Sequence, residues 1–93
     1  MILGRVIGTV VSTRKDERLT GFKLLVVETL QPGKKTGVEE FVAVDTVGAG
    51  VGETVLVVMG SPASRIMTGA DVLVPVDAAI VGIVDTVELA GSR

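Results

Sequence analysis

Three aspartates and one glycine-dense loop are the residues of this chain whose types and spacing could do chemistry. Asp45, Asp77 and Asp85 stand at the ends of apolar runs. Paired carboxylates in such places can move protons or hold Mg²⁺. Here no nucleophile and no second catalytic group accompanies them. The sequence has no His and no Cys, which removes His-based triads, thiol nucleophiles, disulfides and the usual zinc ligand sets. Aspartates at strand ends commonly accept local backbone hydrogen bonds, and that is the role expected of these three.

The loop is Val47-Gly48-Ala49-Gly50-Val51-Gly52-Glu53. It follows a strand-like run, as a dinucleotide fingerprint should, but the spacing is G-x-G-x-G rather than G-x-G-x-x-G. The run after it, Thr54-Val55-Leu56-Val57-Val58, is strand-like, so no helix N-terminus is offered to a pyrophosphate. The reading is a tight turn between strands, with φ > 0 or a backbone approach too close for a Cβ at Gly48, Gly50 or both. Gly60-Ser61-Pro62-Ala63-Ser64-Arg65 could present a hydroxyl and a guanidinium to an anion, or it could simply start a helix. The charged run Arg14-Lys15-Asp16-Glu17-Arg18 reads as a solvated loop or a salt-bridging contact between subunits.

The elements that must position these residues are strands. Val, Ile and Thr supply 33 of the 93 residues and Ala only 7, a composition stiff at χ1 and suited to a small curved sheet. Strands are predicted over 2–13, 22–30, 38–46, 54–59 and 78–87, with a short helical turn over 61–66 and a possible extended piece over 71–76. Gln31-Pro32-Gly33-Lys34-Lys35-Thr36-Gly37 is a hairpin-type loop. Ile2, Val6 and Val10 share one face of the first strand with Gly4 and Gly8, and glycines so placed let a strand bend hard. The first, fourth and fifth strands are apolar on both faces. An antiparallel sheet with one wet face alternates, and these do not. One face is therefore expected to fill a barrel and the other to meet a neighbouring subunit. The predicted fold is all-β: one domain over 1–93, a small five-stranded OB-like barrel with one short helix, assembling into a cyclic oligomer.

Size and charge narrow the partners. A 9.6 kDa monomer buries about 63% of its extended-chain surface, a marginal share for a chain that is 47% hydrophobic. The longest uncharged stretch, 54–64, is too short to span a bilayer and holds Gly60 and Pro62. No signal peptide is expected, since Arg5 interrupts the apolar start, so a soluble, cytoplasmic chain is expected. Phe22 and Phe41 are the only aromatics and the net charge is −2, which argues against a single-stranded nucleic-acid binder of the OB type, the alternative this fold invites. Nothing calls for a cofactor or a metal.

Three blocks carry a resemblance. Gly4-x-Val6-x-Gly8-Thr9-Val10-Val11-Ser12-Thr13-Arg14-Lys15 with Leu19-Thr20-Gly21-Phe22-Lys23-Leu24-Leu25-Val26-Val27 resembles the opening of the bacterial microcompartment vertex proteins of the EutN/CcmL type. Val42-Ala43-Val44-Asp45-Thr46-Val47-Gly48-Ala49-Gly50-Val51-Gly52-Glu53-x-Val55-Leu56-Val57 is similar to that family's central signature, and Pro75-Val76-Asp77-Ala78-Ala79-Ile80-Val81-Gly82-Ile83-Val84-Asp85-Thr86-Val87 to its closing strand. Two positions depart from the family pattern: Gly60 to Arg65 carries Pro62 and Ser64, and Val74 stands where an Arg often precedes the closing Pro-Val-Asp. The resemblance implies a non-catalytic pentamer at the vertices of a polyhedral shell, with self and hexameric shell proteins as partners and neither nucleic acid nor membrane. It places Gly48, Ala49 and Gly50 at a subunit interface or pore loop. It points to Lys15 and Arg14, and less strongly to Lys34 and Lys35, for the contact with neighbouring shell tiles.

Overall fold

The computed structural model describes residues 1–13, 16–30, 39–60, 63 and 77–90. Five strands carry the fold: β1 (Ile2–Val10), β2 (Lys23–Leu30), β3 (Glu40–Asp45), β4 (Thr54–Met59) and β5 (Ala78–Val84). A 3-10 turn, Glu17–Leu19, lies between β1 and β2. The strands close into a barrel in the order β1-β2-β3-β5-β4. Every neighbouring pair is antiparallel except β3 with β5, a parallel seam of just two register pairs, Val44 with Ala79 and Asp45 with Ile80.

Strand lengths follow from the partners available. β5 stops at Val84, short of the expected residue 87, because Val84 pairs with Thr54, the first residue of β4. β1 stops at Val10 rather than 13, where its pairing with Leu24 meets the start of β2. The expected helical turn over 61–66 falls outside the described residues except for Ala63, whose backbone is helical. The expected extended piece over 71–76 also lies outside them. The 3-10 turn sits in the run read as a simple solvated loop. Asp16 explains it: its side chain caps the turn by accepting from the Arg18 backbone N–H.

The barrel core is small and aliphatic. Val6, Leu25, Val27, Ala43, Val55, Val57, Ala78 and Ile80 are buried together, with Ile2 and Phe41 packed at their margin. Gly4 lies in the same layer: a Cβ there would overlap Val27 Cγ1 and lie 3.0 Å from the Glu28 carbonyl oxygen. That close approach lets β1 and β2 wrap tightly. Bulges add the remaining curvature, between Val6 and Gly8 on β1 and opposite Leu56 and Val57 on the β4–β5 pair.

The outer faces are apolar as expected. There Val42 is exposed and Leu56 and Val58 are half-buried, while Met59 and Ile83, in the inward register of Val57 and Val55, are exposed near strand ends and Ile7 at the β1 bulge. The cross-strand ion pair of Arg5 with Glu28, 4.0 Å apart on the outer face, is too solvated to contribute more than about 0–1 kcal/mol.

Candidate functional site

The glycine-dense loop is held from both ends by side chains, and Asp45 is its anchor. Asp45 closes β3 and is only 8% exposed. Its Oδ1 accepts from the backbone N–H groups of Val47, Gly48 and Ala49, each at 3.1 Å. A short acidic side chain at a strand end can fold the next turn around itself in this way. Lys23, at the start of β2, reaches across. Its Nζ donates to the Ala49 carbonyl at 2.9 Å and lies 3.7 Å from Asp45 Oδ2. Ala49 is fully buried and belongs to the core cluster, so the loop also plugs one end of the barrel.

The second half of the loop is tied to Glu53. Its Oε1 accepts from the Gly50 N–H at 2.7 Å, and its own N–H donates to the Gly50 carbonyl at 3.1 Å. The Gly52 N–H donates to the Val6 carbonyl at 2.8 Å and the Val6 N–H to the Glu53 carbonyl at 3.0 Å, which splices the loop onto β1. Thr46 Oγ1 donates to the Ile80 carbonyl at 2.7 Å. Val47 and Val51 project outward, Val51 being 64% exposed.

The strain expected at Gly48 and Gly50 falls on Gly48. Its φ is +81°, in the left-handed region, with open space around its Cα. Gly50 lies outside that region, and a Cβ there would meet nothing nearer than Glu53 Oε1 at 3.5 Å. Gly48→Ala is therefore expected to cost about 1–2 kcal/mol in thermal or urea unfolding, from the left-handed backbone alone. Gly50→Ala should leave the midpoint of the isolated subunit nearly unchanged.

This geometry decides what the candidate residues can do. The N–H groups of residues 47–49, which a phosphate would need, are already bound by Asp45. β4 follows the loop directly, without a helix. Asp77 and Asp85 are exposed at opposite ends of β5, roughly 25 Å apart at the rise of a strand, so the three aspartates form no common site. Among the described residues no group of three His, Cys, Asp or Glu side chains could hold a metal ion. The site is an architectural one: a rigid turn with two exposed valines on its outer side.

Arg14 and Lys15 lie outside the described residues. The loop that carries them is pinned immediately afterwards. Arg18 Nε donates to Asp16 Oδ1 at 2.9 Å and Nη2 to Oδ2 at 2.7 Å. This guanidinium, together with the Arg18 backbone N–H, lowers the Asp16 carboxyl to about 2. A depressed carboxylate pKa favours the paired form above the ordinary value near 3.8 and loses it as pH falls through about 2. The turn thus keeps its clamp at every pH a living cell offers.

Sequence reasoning found the loop and the local role of Asp45, but not Lys23, Glu53 or the Asp16–Arg18 clamp. Glu53 had a readable signal, its three-residue spacing from Gly50. Lys23 had none, since its contact with the loop spans 26 positions and exists only once β2 and β3 pair.

Comparison with known proteins agrees with the architecture. Residues 1–85 match the model of the family described as ethanolamine utilisation protein EutN/carboxysome. Over 88 residues the chain is 59% identical to the bacterial microcompartment shell vertex protein GrpN of Rhodospirillum rubrum, covering 95% of this chain and 97% of that protein. It is 49% identical over 87 residues to the carboxysome shell vertex protein CcmL of Thermosynechococcus vestitus, covering 94% and 86% of the two chains. The solved structure of the GrpN pentameric microcompartment shell protein superposes with a TM-score of 0.83 at 52% identity, covering 98% of this chain and all of that one. With its barrel order, its central loop and matches that run nearly end to end, this chain belongs to the EutN/CcmL family.

Proposed function

We propose that this chain is a structural vertex protein of a bacterial microcompartment shell, acting as one domain over 1–93 in a ring of five identical subunits. The observation that carries the reading is the uncovered aliphatic surface of the single subunit. Val42 stands exposed on the outer face, Ile7 at the β1 bulge, and Met59 and Ile83 near the ends of strands whose buried positions are already packed. A small barrel gains nothing from such residues in water. In a head-to-tail ring, two different patches of one chain cover each other and the ring closes on itself. Near-complete matches to vertex proteins, one of them a solved pentamer, support five as the number in the ring.

The function is geometric and non-catalytic. A sheet of hexagonal tiles cannot close into a polyhedron without twelve pentagons, and a five-membered ring supplies one. Within the ring the Gly48-Ala49-Gly50 turn lies at the subunit interface or the central pore. Its rigidity suits a place where five copies approach one axis. Around the outside, the loop with Arg14 and Lys15 meets the edges of hexameric shell proteins. The assembly belongs in the microcompartment shell within the bacterial cytoplasm, and neither nucleic acid nor membrane is a partner.

Native mass spectrometry of the purified chain should give a five-subunit species. A 9.6 kDa monomer alone, at concentrations where shells form, overturns the reading. Co-expressing Lys15→Glu with the hexameric proteins should leave the ring intact but lower the fraction of capped particles. Each exposed contact is worth about 0–1 kcal/mol, yet fivefold repetition multiplies it by avidity. Normal capping would move the contact away from Lys15.

A further inference from the structure

Two features of the subunit have no partner among the described residues. The first is the segment after β5. Residues 85–90 are all exposed, with Val87 and Leu89 each 44% exposed on either side of Glu88. Among the described residues no backbone–backbone hydrogen bond is made to 86–90. Val87-Glu88-Leu89 alternates as a strand with one dry face does. The second is a groove lined by Leu19, Leu24, Val42 and Val44, with Ala43, Asp77 and Ala78 completing it. Its volume is about 170 Å³. An apolar cavity of roughly 150 Å³ is enough to take a benzene ring, so this one has room for aliphatic side chains.

The segment cannot fill the groove of its own subunit. The groove lies against Asp77 and Ala78, at the start of β5, and the segment leaves from Val84, at its end. The six steps from Ala78 to Val84 cover roughly 20 Å at the rise of a strand. Val87 follows Val84 by three residues and reaches at most about 11 Å. The chain would also have to reverse direction. The groove-filling copy of the segment must therefore come from another chain.

We propose that residues 85–90 form an arm that lies in the groove of the next subunit, with Val87 and Leu89 packed against Leu24, Val42 and Val44 and Glu88 facing solvent. This inference rests on the ring reading and names the contact that closes it. Arm and groove are different surfaces of one chain, so the contact is head-to-tail and each subunit gives one arm and receives one.

The chain contains no cysteine, which makes cross-linking clean. Val42→Cys combined with Leu89→Cys should give, on oxidation, a covalent ladder of subunits ending at the ring. Each single variant should give at most dimers. In a second measurement, Val87→Asp with Leu89→Asp should keep the circular dichroism of the folded barrel, because both side chains are exposed. It should raise the concentration at which the ring dissociates by about tenfold or more, as expected for losing two partly buried aliphatic side chains per interface. If the parent chain forms a ring while the double cysteine variant gives no ladder and the aspartate variant dissociates at the parent's concentration, the arm is overturned and the ring stands. If the parent chain is itself a monomer at shell-forming concentration, both fall.

Discussion

Gly4→Ala should lower the thermal midpoint of the protein by roughly 10–20 °C, the fall expected when about 2–3 kcal/mol of overpacking strain enters a domain of this size. The new Cβ would overlap Val27 Cγ1 and press on the Glu28 carbonyl at 3.0 Å. Neither neighbour can yield cheaply. Val27 is fully buried in the centre of the barrel, and Glu28 belongs to the ladder that pairs β1 with β2. Gly8→Ala is the control. A Cβ there would meet Val26 side-chain carbons at 3.8 and 3.9 Å, ordinary contact distances. Its midpoint should stay put or rise slightly, because alanine restricts the unfolded chain. Differential scanning calorimetry of the two variants separates close packing at Gly4 from a general intolerance of side chains along β1.

Asp45→Ala should cost about 3 kcal/mol or more, and the loss should concentrate in the loop. Removing the carboxylate strands three backbone N–H groups, of which that of Ala49 is buried, and leaves Lys23 without its counter-charge. Stranding a single buried donor costs about 1–3 kcal/mol. Asp45→Asn separates the parts. Its side-chain oxygen can still accept from residues 47–49, so only the Lys23 attraction is lost. Lys23 is half-exposed, and that loss should be about 1 kcal/mol or less. Urea unfolding gives the two costs. Hydrogen exchange at Val47, Gly48 and Ala49 shows where they fall: fast in the alanine variant and near the parent rate in the asparagine variant. Equal costs in both would mean that charge, rather than acceptor geometry, holds the turn.

The strands were legible because composition and partner supply agree. β-branched residues, glycine punctuation and charged loops mark four of the five strands within a few residues, and the bounds of β4 were read as they stand. The errors lie at free ends. Sequence carries the strand pattern past Val10 and past Val84, but a ladder ends where the opposite strand ends, which is a fact about register. The local role of Asp45 was legible from its place between a strand and a glycine turn. The contact from Lys23 was not, since nothing near position 23 announces a carbonyl 26 residues away. The left-handed backbone at Gly48 rather than Gly50 was equally hidden, as both glycines fit the same turn until its hydrogen bonds choose.

The parallel seam between β3 and β5 sets the order in which the molecule can be made. β1, β2 and β3 are successive antiparallel neighbours and can pair as they leave the ribosome. β4 can then join β1, but β3 and β4 each keep an open edge until β5 arrives to pair with both. Because β5 ends at Val84, residues 1–84 must all be synthesised before the wall is complete. Closing across such sequence distances is the slow part of building a β-structure. Until β5 covers them, the free edges of β3 and β4 offer unpaired backbone groups to any other strand, so the unfinished barrel is the form most exposed to wrong pairing.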